Sequence, residues 1–232
     1  MDSMQTLTKY WFLEDFSLFK KLGRITMMRM CEILEMENIP KGSLITLHSE
    51  HRKSMFFLKR GLIKIVDKNN DDLKYIVKPG NIFGELSLYD KTIAAQEEAY
   101  ALKDCTICYI EADDMEVLME KHKSLKNGIL KIYGNRIKRL ERKLHDLLYK
   151  DSWTRIHEFI INFVEQFGET NKDGNTSAQN ILTHKEIASL TNTSRQTVSN
   201  VLSTMRKQGD LDYDTKHITL LKAKPLEEKK ED

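Results

Sequence analysis

THKEIASLTNTSRQTVSNVLSTMRKQ, residues 183–208, reads as two short helices around a tight turn. Thr183 with Glu186 three residues on makes a capping box, in which a hydroxyl and a carboxylate satisfy each other's backbone donors at a helix start. Thr193 with Gln196 makes a second box ten residues later. Between them, Asn192 is a residue type that tolerates the left-handed backbone a sharp inter-helix turn needs. Ile187 and Leu190 give the first helix its apolar face, and Val198, Val201, Leu202 and Met205 give the second its own. Small Ala188 lets the two cross closely, and Gly209 stops the second helix. The outward positions early in the second helix carry Ser194, Arg195, Gln196, Thr197, Ser199 and Asn200, side chains that donate to phosphates and read base edges.

A plain helical hairpin with a solvated face would show the same pattern. The segment that follows, Leu211 to Leu221, separates the two readings. There Asp212, Asp214 and Lys216 punctuate Tyr213, Ile218 and Leu220, which predicts a β-hairpin directly after the second helix. Helix, turn, helix and hairpin together make a winged helix.

The chain has 232 residues, room for one large or two small domains. A net charge of +2 says that any basic surface is local. Apolar runs fall short of a membrane span and no secretory leader is read, so no membrane partner is expected. Three cysteines do not make a disulfide framework, and a reducing cytoplasm is the expected compartment.

Upstream, residues 1 to about 37 read as helical. Phe12, Leu13, Phe16 and Phe19 form one apolar face, and Ile25, Met28, Cys31, Ile33 and Leu34 another, both expected in a core rather than a cofactor pocket. From Ile39 to Ile110, Pro40, Gly42, Gly61, Pro79, Gly80 and Gly84 divide short β-rich runs: LITL, MFFLKR, LIKIVD, KYIV and TICYI. Such a series predicts an antiparallel roll or sandwich. Helical spacing resumes over 113–122. A long helix follows over about 124–149, where Leu130, Tyr133, Ile137, Leu140, Leu144 and Leu147 recur at three and four residues, the seam of a coiled coil. Asp151 caps a further helix that buries Trp153, Ile156, Ile160, Phe163 and Phe167. Gly168 to Gln179 reads as a polar loop without core residues, and the charged tail from Pro225 as disordered.

Two clusters invite a metal. Cys105 and Cys108 sit three apart inside a strand pattern and so face opposite sides, which favours packing. His48 and His51 have no third ligand in view. No metal, resident cofactor, nucleophile elbow or phosphate loop is read, and the chain is not expected to be an enzyme.

The motif SRQTVSNVL resembles the C-terminal domain of the Crp/Fnr family of bacterial transcription regulators. The stretches FFLKRGLIKIV, KPGNIFGELSLYD and AYALKDCTICYI resemble that family's N-terminal cyclic-nucleotide-binding roll. The two modules stand in the family's order and span nearly the whole chain. The resemblance implies an α+β architecture: an antiparallel β-roll of the jelly-roll or double-stranded β-helix type at 1–122, a dimerisation helix at 123–150, a winged helix-turn-helix at 151–224 and a tail at 225–232. It also implies double-stranded DNA, a second copy of the chain and RNA polymerase as partners. Thr183, Thr193 and Ser194 would hold phosphates, Arg195 would recognise guanine, and Gln196 and Asn200, with Thr197 and Ser199 beside them, would complete the reading surface.

The effector pocket would involve Gly84, Glu85, Leu86, Ala95, Gln96 and Leu140. Here the sequence departs from cyclic-AMP-binding relatives. Where those relatives place an Arg-Ser pair on the cyclic phosphate, this chain has Ala95 and Gln96. Where they offer Thr-Ser to the adenine, it has Leu140 and Glu141. Cyclic AMP is therefore disfavoured as the effector. A small-molecule-binding module acting through protein contacts is the alternative from a different class.

Overall fold

Residues 3–49, 52–84 and 96–222 are described by a computed structural model. They divide into two compact units, residues 1–141 and 142–232, with the division inside the long helix.

The first unit opens with α1 (Ser3–Glu14) and α2 (Arg24–Ile33). Phe12, Leu13, Phe16 and Phe19 are buried as expected, and Phe16 and Phe19 pack their rings on Phe57. The second face differs from expectation. Met27, Met30, Cys31 and Leu34 are buried, whereas Ile25 is 74% exposed and Met28 and Ile33 are also exposed. The helix starts at Arg24, so the inward row is 27, 30, 31 and 34, and Ile25 falls on the other side. Helix also gives way early, because Glu35–Ile39 is already strand β1.

The roll follows: β2 (Leu44–Ile45), β3 (His48–Ser49), β4 (Arg52–Arg60), β5 (Ile63–Asp67), β6 (Leu73–Val77), β7 (Ile82–Phe83), β8 (Glu97–Ala101) and β9 (Cys105–Glu111). One sheet runs β1-β9-β4-β3 with β7 on β4, the other β2-β8-β5-β6, and all pairs are antiparallel. Strand β9 is a shared wall. Cys105 packs with Ile63, Ile65, Phe83 and Ile107, while Cys108 faces the other way among Phe57, Met30 and Cys31. The period of two therefore sends the cysteine pair into separate cores. Burial raises the pKa of both thiols, that of Cys108 to about 12. His51 lies outside the described residues. No group of acidic, histidine or cysteine side chains among the described residues could hold a metal ion.

Helix α3 (Ala112–Lys121) leads into α4 (Lys123–Tyr149). The start of α4 belongs to the roll, with Leu125 and Ile129 fully buried. Beyond it, Leu130, Ile137, Leu140, Leu144 and Leu148 are each more than half exposed. Of the expected seam, Tyr133 and Leu147 are half-buried. No helix among the described residues is long and apolar enough to cross a membrane.

The second unit contains α5 (Ser152–Phe167), β10 (Glu169–Thr170), β11 (Thr176–Gln179), α6 (His184–Thr191), α7 (Arg195–Gln208), β12 (Leu211–Tyr213) and β13 (His217–Leu220). Asp151 caps α5, its carboxylate accepting from the Thr154 amide at 2.7 Å. Ile156, Ile160, Phe163 and Val164 are buried, but Trp153 is exposed and stacks on His157, and Phe167 is half-buried. The expected polar loop at 168–179 is instead a hairpin. β11 joins the sheet β10-β11-β13-β12, with Ala178 buried opposite Ile218. TSAQ carries no alternating apolar signal, and its partner strand, forty residues on, makes it a strand.

Candidate nucleic-acid interface

The expected helix-turn-helix is built from its caps. Thr183 begins α6: its hydroxyl accepts from the Glu186 amide at 3.2 Å and donates to the Glu186 carboxylate at 2.9 Å, which also accepts from the Thr183 amide at 2.8 Å. Asn192 ends α6 in the left-handed region, φ 51° and ψ 56°. Such a residue turns the chain within two positions, which is why an Asn stands there.

The start of α7 differs from expectation by one residue. Ser194, not Thr193, is its cap, accepting from the Thr197 amide at 3.0 Å. The Thr193 amide is drawn back to the Ala188 carbonyl at 2.9 Å, and its hydroxyl shares a bond with that of Thr191. Thr193 thus belongs to the turn. Gly209 closes α7 at φ 81°. Ile187, Ala188, Val198, Val201, Leu202 and Met205 are buried between the helices and α5, while Leu190 is half-buried.

This packing leaves Ser194, Arg195, Gln196 and Asn200 exposed at the start of α7, with Thr193, Thr197 and Ser199 half-buried beside them and Thr183 exposed at the start of α6. Rigid caps behind exposed polar side chains are what a helix needs to enter a groove in a fixed pose.

Three supporting groups were not read from the sequence. His184 Nδ1 lies 2.8 Å from Ser199 Oγ, and burial together with the nearby Arg195 cation holds its pKa below the ordinary histidine value. Arg206, late in α7, pairs with Asp212 at 2.8 Å and lies over the Tyr213 ring, fixing helix to hairpin. Arg155 of α5 reaches the turn itself. His184 and Arg155 act through contacts distant in sequence and Arg206 through one beyond its own helix, none of which periodicity shows. At the hairpin tip Asp214 accepts from the Lys216 and His217 amides at 2.6 and 2.7 Å, and these bonds lower its pKa.

In the first unit, the expected effector residues are only partly in view. Glu85, Leu86 and Ala95 lie outside the described residues. Gly84 is buried at φ 72°, where a Cβ would meet the Ser54 carbonyl oxygen at 2.8 Å, so only glycine fits. Gln96 is exposed, its carbonyl accepting from the Lys68 amide, and Leu140 is exposed on α4. Glu97 was not singled out by its sequence pattern. Its side chain is 2% exposed and lies 2.8 Å from Lys74 Nζ and 3.7 Å from Arg136, whose guanidinium sits over the Tyr75 ring.

Comparison with known families agrees with both halves. The family described as the cyclic nucleotide-binding domain matches residues 36–122, and the Crp-like helix-turn-helix domain matches residues 154–229. The chain belongs to the Crp/Fnr family. As a Crp/Fnr protein it is a transcription regulator with a cyclic-nucleotide-binding-type domain and a helix-turn-helix domain, not an enzyme. A CRP-like cAMP-activated global transcriptional regulator of Mycobacterium tuberculosis is 23% identical over 190 residues, which is 81% of this chain and 84% of that relative. A CooA variant from Carboxydothermus hydrogenoformans superposes with a TM-score of 0.62 at 22% identity, covering 82% of this chain and 84% of that one. The c-di-GMP responsive global regulator CLP of Xanthomonas campestris superposes with a TM-score of 0.70 at 15% identity, covering 87% and 100%. These structures share the Crp/Fnr fold.

Proposed function

We propose that this regulator is a cytoplasmic homodimer that binds a two-fold-symmetric DNA site and works with RNA polymerase, without control by cyclic AMP. The observation that carries the DNA reading is the capped, buried-backed α7 with Arg195, Gln196 and Asn200 exposed on its first two turns. In a major groove, Arg195 gives guanine a bidentate donor pair, and Gln196 and Asn200 read neighbouring bases. Thr193 and Ser194, with Thr197 and Ser199 behind them, stand at the phosphate edge; Thr183 joins them by giving up its bond to Glu186. The exposed leucines and isoleucine of α4 supply the pairing face for a second copy. Pairing fixes the distance between two recognition helices, hence half-sites about 10 bp apart, or a multiple of that.

Against cyclic AMP stand the sequence at Ala95 and Gln96 and the buried carboxylate of Glu97. A cyclic phosphate entering the roll loses hydration and needs a cation or several charge-assisted bonds in return. Lys74 of β6 and Arg136 of α4 already hold an anion belonging to the protein. Two measurements test the reading. Selection from a random DNA pool should return a palindrome; recovery of no preferred site overturns the DNA reading. Titration calorimetry with millimolar cyclic AMP should give no saturable heat; saturable heat with tighter operator binding overturns the effector reading alone.

A further inference from the structure

Arg155 makes three hydrogen bonds to carbonyls from two places in the second unit. Its Nη1 donates to Lys150 O at 2.6 Å, its Nε to Thr191 O at 2.9 Å, and its Nη2 to Asn192 O at 3.2 Å. Lys150 directly follows the last residue of α4. Thr191 and Asn192 are the last residue and the C-cap of α6, where carbonyls lack helical partners and the helix dipole favours a cation. Two residues beyond Asn192, Ser194 caps α7. One planar guanidinium therefore joins the end of the long helix to the turn that aims the recognition helix.

Arg155 also lines a cavity of about 210 Å³, together with Lys143, Asp146, Glu158 and Leu190.

We propose that Arg155 is a positioning residue: it transmits the placement of the end of α4 to the pose of α7, and so sets sequence discrimination rather than general affinity for DNA. The inference rests on the DNA-binding reading above. Phosphate attraction tolerates a loose pose, since it is long-ranged and without sequence information, whereas bidentate base contacts need fixed donors. Lysine at this position keeps the cation at the α6 terminus but is a point charge without the fork that spans three carbonyls.

The test compares full-length wild type, Arg155→Lys and Arg155→Gln. Each is titrated with the wild type's selected site and with random duplex at one fixed salt concentration. Amide exchange is measured without DNA. The expected result for Arg155→Lys is a loss of about tenfold or more on the selected site, within about twofold on random duplex. Exchange should quicken at the Thr193 amide while those of Val201 and Leu202 stay protected. Arg155→Gln should lose at least as much discrimination. An unchanged ratio of selected to random affinity in Arg155→Lys overturns the proposal. So does a proportional loss on both DNAs with faster exchange throughout α5 and α7, which marks plain unfolding. A wild type that prefers no sequence overturns the DNA-binding reading instead, and the exchange comparison then still decides whether Arg155 holds the turn.

Discussion

Replacing Leu140 and Leu144 together by lysine should dissociate the proposed dimer. The two side chains are 59% and 57% exposed in the single chain, so somewhat over half of each remains to be buried on pairing. Full burial of a leucine stabilises by about 1.5–3 kcal/mol. Half of that, for two residues on each of two chains, comes to roughly 3–6 kcal/mol of association free energy. At about 1.4 kcal/mol per decade, the dissociation constant should rise by a factor of roughly 10² to 10⁴. The lysines add repulsion across the two-fold axis and beside Arg139, Arg142 and Lys143. Sedimentation velocity over a concentration series reads the shift directly. Circular dichroism should show helix retained, because Leu125 and Ile129 still anchor the start of α4 in the roll. A double variant that sediments as a dimer at low micromolar concentration, like the wild type, refutes the seam.

Three further outcomes are expected. Arg195→Ala should cost on the order of 1–3 kcal/mol on the selected site and relax preference at one position of each half-site, read by repeating the selection with the variant. Glu97→Gln should destabilise the roll by about 2 kcal/mol in urea unfolding. That is less than the ~3–5 kcal/mol for breaking a fully buried pair, since Lys74 and Arg136 keep 34% and 22% of their side-chain surface exposed. His184 has a folded-state pKa below its unfolded value of about 6.5, so the unfolded chain binds more protons in between. Folded stability is therefore retained above that pH and falls as pH drops through the window; the thermal midpoint should decline less between pH 7.5 and 5.5 in His184→Gln than in wild type.

What the sequence made legible was local or periodic. Asn192 and Gly209 announced their left-handed backbones because few residues tolerate them, and Thr183 with Glu186 announced a cap because its partners are three residues apart. The exposed apolar row of α4 is visible as a repeat. The exposed polar row of α7 follows once its buried face is known. Glu97 was not legible, because a glutamate in a strand looks solvated until Lys74 and Arg136 are folded against it. Arg155 has no local signal, because its acceptors lie five, thirty-six and thirty-seven residues away. Strand β11 was hidden because its pairing partner, not its composition, defines it. Thr193 and Ser194 offer the same capping chemistry side by side, so the pattern alone does not say which of them caps α7.

The two helix starts of the motif share one geometry yet differ in charge. At α6 the Glu186 carboxylate sits in the first turn and accepts from the Thr183 amide, which offsets the positive end of the helix from within. At α7 the cap is a neutral serine, no acidic residue occupies the first turn, and Arg195 stands there instead. An approaching polyanion therefore meets a screened terminus on one side of the turn and an unscreened one on the other. On the DNA-binding reading proposed above, the asymmetry gives the encounter a polarity: the second helix is drawn in first, and Thr183 at the first helix takes its phosphate once its bond to Glu186 is released.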